Sequence, residues 1–321
     1  MRTAAALVLA GIIAASLTAC SAAADNGDCT PTASGSVSDG VTVSGEFGTE
    51  PTVEFTKPLT LEATQRTVEI ASEKPTEVAG VNDQVTLHFV LYNGTTGEKL
   101  TSSYVDSNPG VFTANGAIYK PGLIDTMLCA TAGDRITGVI PPADGFGAEG
   151  STSLAIAGGD SLVFVIDVIS IAPGKADGEP QTPKDGLPTV TLAEDGTPTL
   201  TIPDTEPSAE LQISVLKKGD GAVVGEGDSV KVQYVGENYN TKTVFDQTWG
   251  LRDPAVFATT GVVAGFGQAL VGQTVGSQVL VVIPPDLGYG PAGGNANAGI
   301  GATDTIVFVI DILDTTPAAA G

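Results

Sequence analysis

The chain has 321 residues, 42% of them hydrophobic and 16% charged. That is enough apolar material for two ordinary domain cores and too much for a disordered chain. Against 37 Asp and Glu stand 14 Lys and Arg, a formal net charge of −23, which excludes the basic surface that nucleic acid or an anionic membrane would need. The carboxylates are scattered, so the acidity reads as solubility.

In chain order, Met1 and Arg2 precede an apolar stretch from Ala4 to Ala15, then Leu17-Thr18-Ala19-Cys20. One basic residue, a short apolar run and small residues before a cut site describe an export signal over residues 1–19. The run is too short and too Ala-rich for a spanning helix. Leu-Thr-Ala-Cys resembles a bacterial lipobox, which predicts diacylation of Cys20; two acyl chains suffice for stable anchoring, each buried methylene contributing about 0.8 kcal/mol. The plainer reading is an ordinary cleaved signal with an incidental Cys20. Residues 20–50 then read as a lipidated tether. Cys29 and Cys129 have two readings: a disulfide stapling the tether to the first domain, allowed in an oxidising compartment, or two buried thiols.

The rest of the chain contains itself twice. Val85–Val90 returns at Val230–Val235, Val139–Gly147 at Val282–Gly290, and Leu162–Ile169 at Ile306–Leu313, at offsets of 145, 143 and 144 residues. Constant order at near-constant offset means a duplicated domain. Pro51–Phe55 also echoes Pro188–Leu192, which predicts an extended lead-in before each body. The expected boundaries are a first domain over 51–172, a Pro- and Gly-rich linker over 173–187, a second domain over 188–315 and a tail over 316–321.

Val230, Val232 and Tyr234 alternate with Lys231 and Gln233, the pattern of a half-buried antiparallel strand. Leu162–Ile169 and Ile306–Leu313 are almost continuously apolar and read as central strands. Asn93-Gly94 and Thr96-Gly97 supply turn chemistry. A short helix follows Gly265 with Phe266 and Leu270 on one face, and its twin places Leu123 and Met127 there. The fold class is α+β: mostly antiparallel sheet with one short helix per domain.

Five motifs in the second copy stand in a telling order: Val-Gln-Tyr-Val-Gly at 232–236, Val-Phe-Asp at 244–246, Val-Val-Ala-Gly-Phe at 262–266, Ile-Pro-Pro-Asp-Leu-Gly-Tyr-Gly at 283–290 and Ile-Val-Phe-Val-Ile-Asp-Ile at 306–312. In order and spacing they resemble the FKBP-type peptidyl-prolyl cis/trans isomerases. The resemblance covers roughly 59–172 and 208–314 and is stronger in the second copy. It implies a twisted antiparallel half-barrel wrapped around one short helix, with an aromatic pocket between them. Carried over, that pocket takes Tyr234 and Phe308 from strands, Phe245 and Asp246 as wall and polar contact, Phe257, Val262 and Val263 before the helix, and Phe266 as floor. Tyr289 would sit at the rim and Ile300 would close the top. The family's usual floor Trp is Phe266 here, and its Ile-Pro pair is Ile300-Gly301. Trp249, the only Trp, lies away from the floor position.

The first copy departs further. Phe89 and Phe146 stand where the second copy has Tyr234 and Tyr289, Leu100-Thr101 where it has Phe245-Asp246, Leu123 for Phe266, and Tyr119-Lys120 for Val262-Val263; Phe112 and Phe164 are kept. The polar groups of the pocket are lost, so this copy reads as a degenerate domain that binds chain and isomerises poorly.

An X–Pro bond rotates slowly because of its partial double-bond character, with a barrier of about 18–20 kcal/mol. An apolar pocket with a few fixed donors suits that chemistry, and no general base is required. His88 reads as an ordinary strand side chain, and no metal cluster, nucleophile motif or phosphate loop occurs in the sequence. No cofactor is expected. The expected function is isomerisation of X–Pro bonds in exported or envelope proteins by a lipid-anchored monomer on the extracytoplasmic face, mainly through the second domain. The resemblance adds macrolide inhibitors as ligands. A non-catalytic holdase for Pro-containing chains and an envelope scaffold are the alternatives.

Overall fold

The computed structural model describes residues 29–73 and 78–318. The export signal and Cys20 lie outside these residues.

The first domain opens with a hairpin of β1 (Thr42–Ser44) and β2 (Thr52–Glu54). Its body follows: β3 (Gln65–Ile70), β4 (Gln84–Asn93), β5 (Lys99–Ser102), β6 (Gly110–Thr113), helix α1 (Pro121–Met127), β7 (Arg135–Ile140) and β8 (Leu162–Ala172). The sheet is antiparallel in the order β3-β7-β8-β4-β5, with β6 also on β4. After β9 (Glu179–Pro180) the second domain repeats the plan. A hairpin of β10 (Thr189–Leu192) and β11 (Pro198–Thr201) leads to β12 (Gln212–Lys218), β13 (Ser229–Asn238), β14 (Thr243–Gln247), β15 (Ala255–Ala258) and helix α2 (Ala264–Leu270). Then come β16 (Gln278–Ile283), the short pair β17 (Gly294–Asn295) and β18 (Ile300–Gly301), and β19 (Ile306–Thr316). This sheet runs β14-β13-β19-β16-β12-β9, with β15 also on β13.

The central strands are apolar on both faces because both faces are covered. On one face of β19, Phe308, Ile310 and Ile312 pack with Phe266 and Leu270 of α2. On the other, Val307 and Val309 pack with Leu187, Leu200, Ile202 and Trp249 beneath the β10–β11 hairpin. In the first domain β8 divides the same way: Phe164, Ile166 and Val168 face α1, while Val163 and Val165 meet Val41, Val43 and Val53 of the β1–β2 hairpin. Each helix touches its sheet through a glycine. A Cβ on Gly265 would come 2.5 Å from Ile283 Cγ2, and one on Gly122 would come 2.3 Å from Ile140 Cγ2.

One buried polar residue interrupts each central strand. In β8, buried Asp167 faces Arg135 of β7 across the ladder, and the guanidinium donates to both carboxylate oxygens at 2.6 and 2.7 Å. Arg135 also donates to the carbonyls of Gly45, Glu46 and Thr49, and Gly48 N–H donates to Asp167. The pair therefore ties the β1–β2 turn to the sheet, and these bonds satisfy charges that would otherwise be costly to bury. In β19 the twin position is Asp311, and Gln278 replaces the arginine. Gln278 Nε2 donates to it at 2.7 Å and the Ala176 N–H at 2.8 Å. Burial pushes its carboxyl up to about 6.

The structure corrects four expectations. Residues 42–44 are not tether but the first strand of a hairpin, because Val41 and Val43 have an apolar sheet face to cover. The echo of Pro51–Phe55 in Pro188–Leu192 does not mark equivalent strands: it pairs β2, the second strand of one hairpin, with β10, the first strand of the other. The stretch 173–187 is docked rather than loose. Ala176 bonds to Asp311 and to Lys217 Nζ, β9 extends the second sheet, and Leu187 is buried beneath it. The tail is also shorter than expected, since β19 runs through Thr316. A disulfide joins Cys29 to Cys129, with Cα atoms 5.7 Å apart. His88 is a strand side chain, its Nδ1 3.0 Å from Ser103 Oγ and its ring stacked on Tyr104.

Candidate active site

In the second domain, β13, β14, β15, β19 and the approach to α2 converge on one cavity of about 340 Å³. It is lined by Tyr234, Phe245, Asp246, Phe257, Gly261, Val262, Val263, Phe266, Tyr289 and Phe308. The inward alternation of β13 delivers Tyr234. Phe257 faces in because β15 pairs with β13 in the register Phe257 to Val230. Phe266 rises from the first turn of α2.

The rings stack edge to face, the arrangement aromatic quadrupoles favour. Phe266 and Phe308 have centroids 5.0 Å apart at 86°, Phe245 and Phe308 5.4 Å at 89°, and Tyr234 and Phe266 6.2 Å at 84°. Gly236 makes room for them: a Cβ there would lie 2.5 Å from Phe308 Cε1 and 2.8 Å from Phe245 Cζ.

One polar cluster breaks this apolar wall. The Tyr234 hydroxyl donates to Asp246 Oδ2 at 2.5 Å. Arg252 Nη2 donates to the Tyr234 hydroxyl at 2.8 Å and to Asp246 Oδ1 at 2.6 Å, and its guanidinium lies 5.8 Å from the Tyr234 ring centroid. Burial, then the neighbouring Asp246 carboxylate, holds the Tyr234 phenol well above its ordinary range. The hydrogen bond to Asp246 raises Arg252 further, so it remains cationic. The cluster fixes Tyr234 as a neutral, oriented hydroxyl at the wall. Tyr289 follows the 3-10 turn Pro285–Leu287 and brings a second phenol to the cavity.

Nine of the residues singled out from the sequence thus meet in one hollow. Ile300 does not line it. It is buried at 3% exposure in the core beside Tyr234 and Phe266, because β18 folds back on β17 and turns the side chain inward. Trp249 lies on the opposite sheet face, under the hairpin. Arg252 and Gly261 were missed. Arg252 sits in the irregular segment 248–254, and no strand or helix period points a loop residue at a pocket.

The first domain shows what the degenerate copy has become. Phe89 lies 5.6 Å from Phe112 and 5.8 Å from Phe164, so the aromatic wall persists. Tyr119, in the place of Val262, packs against Phe112 with centroids 5.3 Å apart and the rings tilted at 59°, and the Lys120 ammonium lies 5.3 Å from the Phe146 ring centroid. Bulky side chains thus occupy positions that are valines in the second domain, and Phe89 lacks the hydroxyl that Tyr234 offers to Asp246.

Comparison with known proteins agrees with this geometry. The profile described as FKBP-type peptidyl-prolyl cis-trans isomerase matches residues 76–169 and 221–313, together more than half of the chain. The "Probable FK506-binding protein" of Corynebacterium glutamicum is 33% identical over 117 residues, 36% of this chain and 96% of that protein. The "FK506-binding protein" of Streptomyces anulatus is 34% identical over 118 residues, 36% of this chain and 94% of that one. The "Outer membrane protein MIP" of Legionella longbeachae is 36% identical over 109 residues, 34% of this chain but only 46% of that protein. A doubled antiparallel fold with an aromatic hollow, matched twice by one profile, defines the class: the chain belongs to the FKBP-type peptidyl-prolyl cis-trans isomerases.

Proposed function

We propose that the second domain carries the isomerase activity, acting on X–Pro bonds of exported or cell-envelope proteins, and that the first domain binds chain with little turnover. The observation that carries this reading is the Tyr234–Asp246–Arg252 cluster at the wall of an aromatic cavity, set against Phe89 and Thr101 at the twin positions. The prolyl ring would enter between Phe266, Phe308 and Phe257. Amide resonance weakens as the C–N bond twists, and a twisted amide is less charge-separated, so a water-poor aromatic site favours it over the planar ground state. The Tyr289 hydroxyl would hold a substrate carbonyl and keep one end of the bond still while the other turns. Asp246, neutralised by Arg252, would accept polarised C–H or N–H groups without adding a net charge to the hollow.

Placement at the envelope rests on residues 1–20 and on the outer-membrane name of one relative. Mass spectrometry of the membrane fraction should find a diacylated Cys20; an unmodified soluble form would contradict it. Catalysis is tested with the full chain on a short X–Pro peptide. Asp246→Ala should lower kcat/KM about tenfold or more and Tyr289→Phe by less. Wild-type rates for both would remove the second domain as the catalytic unit. The degenerate first copy favours a second reading, a holdase for Pro-containing chains, and rates at the uncatalysed level for wild type and both variants would select it.

A further inference from the structure

The two domains touch close to the catalytic cluster. Arg252 lies in the segment 248–254, between β14 and β15. Thr248 anchors the start of that segment, its hydroxyl accepting from Tyr234 N–H at 2.9 Å and its carbonyl accepting from Leu251 and Arg252 N–H. Beyond it the chain leaves the second domain's core: Leu251 is 64% exposed and the Arg252 side chain 45% exposed. The next residue, Asp253, is held from the other side. Its Oδ1 accepts from Thr113 Oγ1 at 2.5 Å and its Oδ2 from the Tyr119 hydroxyl at 3.2 Å, and both partners belong to the first domain.

Thr113 is fully buried at the end of β6 and Tyr119 is packed on Phe112, so both donors are rigidly placed. A second contact, Lys231 Nζ of β13 to Gln84 Oε1 of β4 at 2.8 Å, lies beside the first, since Gln84 faces Thr113 in the first sheet. An exposed arginine has many rotamers, and fixing one costs entropy. A clamp on the adjacent residue lowers that cost by fixing the backbone from which the guanidinium reaches Tyr234 and Asp246.

We propose that Asp253 is a positioning residue and that the first domain, through Thr113 and Tyr119, holds Arg252 in place in the second domain's site. Tyr119, packed on Phe112 in the first domain, then serves the second. This rests on the reading that the Tyr234–Asp246–Arg252 cluster works in catalysis.

The test uses the full chain and an X–Pro peptide. Thr113→Val, Tyr119→Phe and Asp253→Ala should each lower kcat/KM about three- to tenfold, below the hundredfold that a 1 Å misplacement can cost. The loss should fall on kcat, with KM nearly unchanged. Asp253→Asn keeps a carbonyl acceptor for Thr113 and should recover most of the rate. In an Arg252→Ala background the three substitutions should cost nothing more, because the group they position is gone. Wild-type kinetics for Thr113→Val and Asp253→Ala, or losses that multiply with Arg252→Ala, would overturn the clamp while leaving catalysis in the second domain standing. An Arg252→Ala enzyme with wild-type kinetics would overturn both the clamp and the role of the cluster.

Discussion

The two domains share a chain path and differ at two addresses, one in the pocket and one beneath the sheet. In the pocket, the second domain keeps Tyr234 and Asp246 around an open hollow, whereas the first has Phe89 and Thr101, with Tyr119 packed against Phe112 and Lys120 near Phe146 where the second has valines. Beneath the sheet the asymmetry reverses. The first domain neutralises its buried Asp167 with Arg135, while the second leaves Asp311 to Gln278 and a backbone N–H. The copy with the simpler pocket thus has the more completely paired core. In the division of labour proposed above, the first copy is spared turnover, and its residues serve packing and, through Tyr119, the neighbouring domain.

The largest effect expected from this contrast comes from making the first core resemble the second. Arg135→Gln leaves Asp167 buried with an amide for a partner and removes three bonds to the β1–β2 turn. Breaking such a pair from one side costs about 3–5 kcal/mol. Hydrogen exchange at the β7 and β8 amides of the full chain measures it as a fall in opening free energy. A change under about 1 kcal/mol would show that the ion pair does not distinguish the domains.

Next in size is the pH dependence carried by Asp311. Its carboxyl, raised to about 6 by burial although Lys217 and Lys175 oppose this, holds a proton in the folded state that the unfolded chain, near 3.9, has already released. The folded state binds more protons between pH 4 and 6, so this group's contribution to stability falls as pH rises through that window and is level above it. Asp311→Asn should remove that slope, seen as a gain over wild type that appears between pH 4 and 6. A difference independent of pH would contradict the burial account.

The smallest effect is a null result by design. Restoring polar groups to the first pocket with Phe89→Tyr and Thr101→Asp should add no measurable isomerisation in the full chain, because Tyr119 still packs against Phe112 where the second copy has a valine. A clear gain in rate would show that the lost hydroxyl and carboxylate alone silenced this copy.

Much of this was legible in the sequence, for reasons particular residues make plain. Period-two alternation at Val230, Val232 and Tyr234 marked an inward face, and the continuous run at Ile306–Leu313 marked a strand covered on both sides. Five motifs in order and spacing carried a family resemblance, and through that resemblance the aromatic wall could be named in advance. What escaped depended on paths without a period. Arg252 reaches Tyr234 through an irregular loop. Ile300 turns into the core because β17 and β18 form a tiny ladder. The β1–β2 hairpin was hidden because Val41 and Val43 look like sparse apolar residues in a polar tether until an exposed sheet face is there to receive them. The resemblance of Pro51–Phe55 to Pro188–Leu192 was a coincidence of short extended segments, betrayed by an offset of 137 residues against 143 to 145 elsewhere.

The central claim is that turnover belongs to the second pocket alone. Its most direct test is kcat/KM of the full chain on one X–Pro peptide after equivalent substitutions in the two copies, Asp246→Ala and Thr101→Ala. The account predicts a loss of about tenfold or more for Asp246→Ala and wild-type activity for Thr101→Ala. Equal losses from both, or a loss that follows Thr101→Ala, would contradict it.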